Sequence, residues 1–419
     1  MGANGVIGIG AAELFAAGGY QVVMLARDRE KAAQALVDVQ GLARAESISE
    51  RIEAGSYDAD LEQAVAGAAI VFEALVEDLT LKRSFFELVD RHRAPDSVVA
   101  TVSSGLSIAA MAQGRSESFR RHFLGIHLFN PPHVIAGTEV IPHAETEPAV
   151  VAQVVELLGK RLGRRLIVAS DRPAFAGNRI AFKMLNEVAQ LVPDYGVGFL
   201  DYLIGPYTGR AMAPLATIDL VGWDVHEAIV DNVYAATRDE AHPLFKLPPY
   251  MKAGIAQGRL GDKTPGHGGF YRRTEKGLEV LDTSSGKYHE AAAPKPIEFI
   301  ERMKGLHRVG RYREALAVLK DAPGAEADLA RRVLLGHVSY ALNRVGEVAE
   351  TNADIDTIMS HGFNWAPPSV LVDLMGAGAS VELLRRYELK VPPIVERAAA
   401  EGRKLYAGSV LEVGRTFIG

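Results

Sequence analysis

Cysteine is absent from the 419 residues, which excludes disulfides and thiolate metal sites and is compatible with a reducing cytoplasm. Positive charge is also in short supply: 46 Lys and Arg stand against 52 Asp and Glu, for a net charge of -6. Nucleic-acid binders more often carry a basic surplus, so that partner is not expected. No apolar run reaches the roughly 20 residues that cross a bilayer. The first residues have no basic segment leading into an apolar one, so no signal peptide is read either. Histidine pairs at metal spacing, such as HExxH, are missing, and no metal is expected. No GxSxG elbow surrounds Ser103-Ser104, which leaves helix capping or simple hydrogen bonding as the ordinary role for these serines. The expectation is a soluble cytoplasmic protein.

Apolar residues make up 48% of the chain and charged residues 23%, the balance of a folded protein. The chain is too long for one ordinary core, so two or three domains are expected. YQVVML (20–25), AAIVFEAL (68–75), SVVATVSS (97–104), FLGIHLF (123–129) and RLIVAS (165–170) read as buried strands. Between them lie amphipathic stretches such as LTLKRSFFELVDRH (79–92) and PAVVAQVVELLGKRLG (148–163). This alternation predicts an α/β, doubly wound parallel sheet over the first 170 or so residues. After Pro173 the strand-like runs fade and helical patterns dominate. LNEV, Asp201, AP and IDLVG (185–222) return as LNRV, Asp356, PP and VDLMG (342–376) at a nearly constant offset. That echo predicts two related all-helical domains, with a Gly/Pro/Ser-rich stretch over 258–296 between them. The expected division is an α/β domain over 1–172, a first helical domain over 173–270, a connector over 271–330, and a second, repeat-like helical domain over 331–419.

The chain opens MGANGVIGIG and runs at once into AAELFAAGGYQVVML. Glycines let backbone amides approach phosphate oxygens, and the helix that follows adds a positive end. A glycine run alone is a weak signal, but loop, helix and strand in this order favour a dinucleotide-binding domain, with Gly5, Ile7 and Gly8 facing the cofactor. A carboxylate at the end of the next strand usually binds the ribose of NAD. Ala26-Arg27 stands there instead, with Asp28 one step later. Arg27 either meets the 2′-phosphate of NADP or covers the adenine face, and both readings stay open. A strand would ordinarily precede such a loop. It would lie before Met1, so the sheet is expected to lack its first strand, and the expectation is that the start is set too late or that the chain is a fragment.

GIHLFNPP (125–132) is the most informative stretch. His127 stands at the end of an apolar strand, just before Asn130-Pro131-Pro132, where doubly wound sheets line their ligand crevice. Glu139, in TEVI (138–141), is a carboxylate able to hold the second imidazole nitrogen. That pairing would fix the tautomer and support the positive charge of a general base. The chain has 12 histidines, and one chosen blindly is more often a surface or packing residue; His122 and His133 read that way.

Together these segments resemble the L-3-hydroxyacyl-CoA dehydrogenase family. The resemblance rests on EALVEDLTLKRSFF (73–86), TVSSGLSI (101–108), GIHLFNPP, TEVI, DRPAFAGNRI (171–180), GRAMAPLATIDLVG (209–222) and GRLGDKTPGHGGFY (258–271). It covers nearly the whole chain in order. It implies that His127 is the base for the 3-hydroxyl and Glu139 its orienting carboxylate. Ser104 would hydrogen-bond the reacting oxygen near the nicotinamide, and Asn178 would hold the substrate. Glu77, Lys82 and Asn130 would contact the cofactor. Beside these roles stand plainer ones: an exposed helix-start pair for Glu77 and Lys82, a helix cap for Asn178. The implied cofactor is NAD, with NADP possible because Ala26 replaces the family's acidic residue. The implied partner is an acyl-CoA, and the implied assembly is a homodimer or a pseudo-dimer of the two helical repeats. The family implies oxidation of (3S)-3-hydroxyacyl-CoA in fatty-acid β-oxidation. An NADP-dependent reductase, or a non-catalytic relative that only binds nucleotide, are the alternatives.

Overall fold

The computed structural model describes residues 1–406. It divides into two compact units: Met1–Ala176 joined by Glu347–Glu350, and Gly177–Gly346 joined by the residues from Thr351 onward.

The first unit carries seven strands. β1 (Val22–Ala26) and β2 (Ile52–Ser56) form a parallel pair. β3 (Ile70–Glu73), β4 (Val98–Thr101), β5 (Phe123–Leu128), β6 (Gly137–Pro142) and β7 (Arg165–Val168) form a second sheet in that order. Helices α1 (Val6–Ala17), α2 (Arg29–Leu42), α3 (Tyr57–Gly67) and α4 (Leu79–His92) fall between strands, as in a doubly wound fold. Two of them start on aspartate caps: Asp28 accepts from the Lys31 amide and Asp78 from the Leu81 amide, satisfying donors that the first turn leaves unpaired. α4 turns Lys82, Phe85, Phe86 and Val89 inward, while its other polar residues are exposed or half-exposed. β4 and β5 are buried along their whole length. One apolar layer joins Phe15, Ala100, Leu124, Ile126, Val140 and Leu158, and a second joins Ala16, Met24, Val39 and Ile52.

Two features depart from an all-parallel sheet. β6 runs antiparallel to β5. Only residues 129–136 connect them, too few for the dozen or more residues of a parallel crossover, so the chain must turn back as a hairpin. The second departure is a break. β1 and β3 are not paired, and the sheet is split between them. At its mouth the Met1 nitrogen donates to the Phe72 carbonyl at 2.8 Å, the Ala74 amide donates back to Met1 at 2.9 Å, and the Ala3 amide donates to Leu25 across the break at 3.2 Å.

The second unit is mainly helical. Its longest helices, Gly177–Tyr195 and Ala325–Asn343, have 19 residues each and pack against one another. The sequence echo corresponds to a repeated device. The buried Asp201 carboxylate accepts the Leu215 and Ala216 amides at 2.8 and 3.0 Å, and Asp356 accepts the Ser369 amide at 3.0 Å, each at the start of a short helix. Burial raises both acids, Asp201 to about 6 and Asp356 to about 7. Within 271–330 the chain forms a three-stranded antiparallel sheet, Tyr271–Thr274, Gly277–Asp282 and Lys287–Glu290, followed by helices Glu298–Arg308 and Tyr312–Asp321. These strands are charged and half-exposed, so no apolar run announces them. Among the described residues no helix is long and apolar enough to cross a membrane.

Candidate active site

The hairpin that makes β6 antiparallel also sets His127 directly opposite Glu139 in the register. Residues facing each other across such a rung point to the same side of the sheet, with Cβ atoms about 5 Å apart. The side chains close that distance: Nδ1 of His127 lies 2.5 Å from Oε2 of Glu139. Both are buried, His127 at 3% and Glu139 at 0% exposure, so the pair is shielded from competing water. A carboxylate only accepts, so Nδ1 donates and Nε2 is left as the proton-transfer nitrogen. The other carboxylate oxygen of Glu139 accepts the Ala176 amide at 3.0 Å. Phe129 and Phe175 pack near the imidazole, with ring centroids at 4.7 and 5.8 Å.

β4 ends beside β5, with Thr101 opposite Gly125, so the loop carrying Ser103 and Ser104 leaves the sheet alongside His127. Glu77 organises that loop. Its Oε1 accepts the Ser103 hydroxyl at 2.6 Å and the Ser104 and Gly105 amides at 2.9 and 3.1 Å. Beneath it lies an ion pair that the sequence reading did not single out. The Lys82 ammonium donates to Glu73 at 2.7 Å and lies 3.5 Å from Glu77. Glu73 also accepts the Thr101 hydroxyl at 2.6 Å. Lys82 and Glu73 are both 0% exposed, which overturns the reading of Lys82 as half of an exposed helix-start pair. Fully buried, Lys82 offers no surface for the direct cofactor contact expected of it, whereas Glu77, which it touches, is partly exposed.

The glycine loop fits a pyrophosphate. Gly5 precedes α1, which has no acidic residue in its first turn, and Asn4, Gly5 and Val6 are exposed there. Two glycines are required by close approach. Gly2 has φ +71 and a Cβ would meet the Ala74 carbonyl oxygen at 2.2 Å; one on Gly8 would meet the Gly2 oxygen at 2.5 Å. Ile7 is half-buried on the first turn. At the end of β1, Ala26 is fully buried and Arg27 exposed. Asp28, the nearest carboxylate, is occupied: it caps α2 and pairs with the Lys31 ammonium at 3.1 Å. Its hydrogen bond from the Lys31 amide, then that from the lysine side chain, lower its pKa.

Residues 1–172 match the NAD binding domain of 3-hydroxyacyl-CoA dehydrogenase, and residues 175–273 match the C-terminal domain of the same enzyme. The chain belongs to the 3-hydroxyacyl-CoA dehydrogenase family. A probable 3-hydroxyacyl-CoA dehydrogenase of Bacillus subtilis is 30% identical over 85% of this chain and 45% of its own length. One from Deinococcus radiodurans is 35% identical over 54% of this chain and 64% of its own. The chain thus spans roughly half to two-thirds of these relatives. The crystal structure of 3-hydroxybutyryl-CoA dehydrogenase from Escherichia coli superposes with a TM-score of 0.69 at 20% identity, covering 95% of this chain and 97% of that one. At that identity the likeness is one of fold.

Two further residues organise this family member's hairpin and serine loop. Arg164, 7% exposed, donates to the Thr138 hydroxyl at 3.1 Å and to the Pro132 and Gly137 carbonyls at 2.9 and 3.4 Å. It thereby fixes the turn that follows His127, and burial lowers its pKa to about 10. Asn130 is exposed on that turn. Asp171 accepts the Ser107 hydroxyl and the Ile108 and Ala109 amides at 2.9–3.0 Å, anchoring the far end of the serine loop. A basic residue before a strand and an acid after one carry no distinctive spacing, so neither was readable. Asn178 belongs to the second unit, as the second residue of the helix Gly177–Tyr195. It is inside the helix and not at its cap.

Proposed function

We propose that this chain oxidises the 3-hydroxyl of a (3S)-3-hydroxyacyl-CoA to a ketone, with NAD as the hydride acceptor. The observation that carries the reading is the buried His127–Glu139 pair at the carboxyl end of β5. NAD, when bound on the glycine loop, supplies the hydride acceptor. The residues of the chain supply the proton chemistry. Nε2 of His127 takes the hydroxyl proton as the C3–H bond gives up its hydride, and the C–O bond becomes a carbonyl. The imidazolium that forms is held by Glu139, which spares it an unpaired buried charge. Ser104, set by Glu77, lies on the neighbouring loop to hydrogen-bond the reacting oxygen; for Asn178 as a substrate contact, the support is the family resemblance. Glu77 and Asn130 are the partly exposed groups available to the coenzyme, with Lys82 behind Glu77 as a positioning residue. Such oxidation would serve fatty-acid β-oxidation in the cytoplasm, in a dimer or a pseudo-dimer of helical repeats.

A second reading of the coenzyme has its own observation. With Ala26 at the strand end, Asp28 used as a cap and Arg27 exposed, the ribose side suits a 2′-phosphate and hence NADP. Reduced-nucleotide production from (3S)- and (3R)-3-hydroxybutyryl-CoA, with NAD and with NADP, tests both. The proposal expects turnover of the (3S) epimer with NAD; no turnover of either epimer with either coenzyme would refute it. Titration of NADH and NADPH by calorimetry separates the coenzymes independently of turnover.

A further inference from the structure

Residues 169–176 carry the chain away from β7 and straight back to Glu139. The Ala169 amide donates to the Val140 carbonyl of β6 at 2.9 Å. The Ala176 amide donates to the carboxylate of the neighbouring Glu139 at 3.0 Å. So short a return needs a sharp turn, and here the turn falls on residues that carry side chains. Ala174 and Phe175 lie in the left-handed region, with φ of 60° and 53°. Non-glycine residues seldom enter it, because Cβ crowds the following carbonyl oxygen, and two in succession make a costly backbone. Strain of this kind persists only where the surroundings over-determine it, and it gathers at functional sites. Both residues are buried at 0% exposure, and the Phe175 amide is tied back to the Arg172 carbonyl at 2.8 Å.

The two ends of this turn reach different parts of the candidate site. At one end, the Ala176 amide holds an oxygen of Glu139 and the Phe175 ring packs near the His127 imidazole, centroids 5.8 Å apart. At the other, Asp171 accepts the Ser107 hydroxyl and the Ile108 amide at 3.0 Å each, and the Ala109 amide at 2.9 Å. These donors directly follow the loop that carries Ser104. The Ser107 hydroxyl also caps the helix Ile108–Ala112, accepting the Ala110 amide at 3.2 Å. Glu77 grips the front of that loop, so Asp171 supplies the second of its two fixed points. Two fixed points define where a short loop lies; one leaves it free to swing. A shift of about 1 Å between reacting groups can cost on the order of 10²-fold in rate.

We propose that residues 171–176 form a strained brace that sets the serine loop and the His127–Glu139 pair relative to each other. Asp171 is its positioning residue, a role that rests on His127 and Ser104 acting as proposed above. It acts through the loop: without its carboxylate, Ser104 drifts from the oxygen that His127 deprotonates, while the coenzyme still binds.

The test uses the full chain with NAD and (3S)-3-hydroxybutyryl-CoA. Asp171→Asn keeps the size but turns one acceptor oxygen into a donor, so the three amide and hydroxyl donors cannot all be met. Rates are expressed per NADH site counted by calorimetry, so a loss of folded protein does not register as a loss of kcat. The expected result is kcat lowered about tenfold or more, with KM and NADH affinity within about twofold of the parent. In a Ser104→Ala background the same substitution should lower kcat by less than about twofold, because the group it positions is gone. Ser107→Ala removes one of the donors and is the milder second variant; it should show the same pattern at smaller size. At the other end of the brace, exchange of the Ala176 amide should quicken at least about tenfold in Asp171→Asn. A parental kcat in both variants, an undiminished loss in the Ser104→Ala background, or an Ala176 amide as protected as in the parent would overturn the proposal. If His127→Gln and Ser104→Ala alone leave kcat unchanged, the reading of the site itself falls, and the brace with it.

Discussion

His127 and Glu139 face each other across an antiparallel rung, Nδ1 to Oε2 at 2.5 Å, with both side chains buried. A carboxylate that accepts from one imidazole nitrogen holds the ring in one tautomer and one orientation. Glu139→Gln keeps the size and removes the charge. The expected outcome is a loss of kcat/KM on the order of 10²-fold. An unchanged kcat/KM would show that Glu139 is a packing residue.

The Lys82–Glu73 pair predicts a stability effect separate from the chemistry. Removing one member of a buried pair leaves the other charged and unsolvated, typically at about 3–5 kcal/mol. Lys82→Met should lower the denaturation free energy by that order. The double variant Lys82→Met with Glu73→Gln should recover much of it, since no buried charge remains. Denaturant titration of the three proteins checks this; a double variant as unstable as the single one would contradict it.

His226 predicts a pH dependence in the second unit. It is fully buried against Asn186, with Nε2 at 3.0 Å from Oδ1, and burial pushes its pKa down to about 3. The folded state keeps it neutral while the unfolded chain takes up a proton below its ordinary pKa of about 6.5. Stability is therefore fully present above that pH and declines as pH falls toward 3. Between pH 6.5 and 5 the loss is about 2 kcal/mol, at about 1.36 kcal/mol per unit. Asp201, Asp219 and Asp356, raised by burial to about 6, 7 and 7, act in the opposite sense but are common to both proteins. The difference between the parent and His226→Gln isolates the histidine. Parallel stability curves over pH 7 to 5 would contradict the assignment.

What the sequence made legible follows from what each element shows on its surface. The strands and helices of the first unit alternate in apolar pattern because both faces of the sheet are covered, and the glycine loop is visible because close backbone approach leaves no room for a side chain at Gly2 and Gly8. His127 and Glu139 were readable as a pair because they stand on adjacent short strands. Their antiparallel register was not read, although the brevity of the 129–136 link implies it. Lys82 lies on a helix with the spacing of an ordinary exposed pair, and only the fold shows it buried beneath Glu77. Glu73 hides inside an apolar strand. The strands of 271–290 escaped because their residues are charged and their burial slight.

The central claim is that His127 takes the proton of a substrate hydroxyl. The most direct measurement is kcat/KM of His127→Gln for NAD-dependent oxidation of (3S)-3-hydroxybutyryl-CoA, paired with calorimetric titration of NADH on the same protein. The account predicts a fall of about 10²–10⁴-fold with coenzyme affinity essentially unchanged. A variant that oxidises substrate at the parent rate would contradict it.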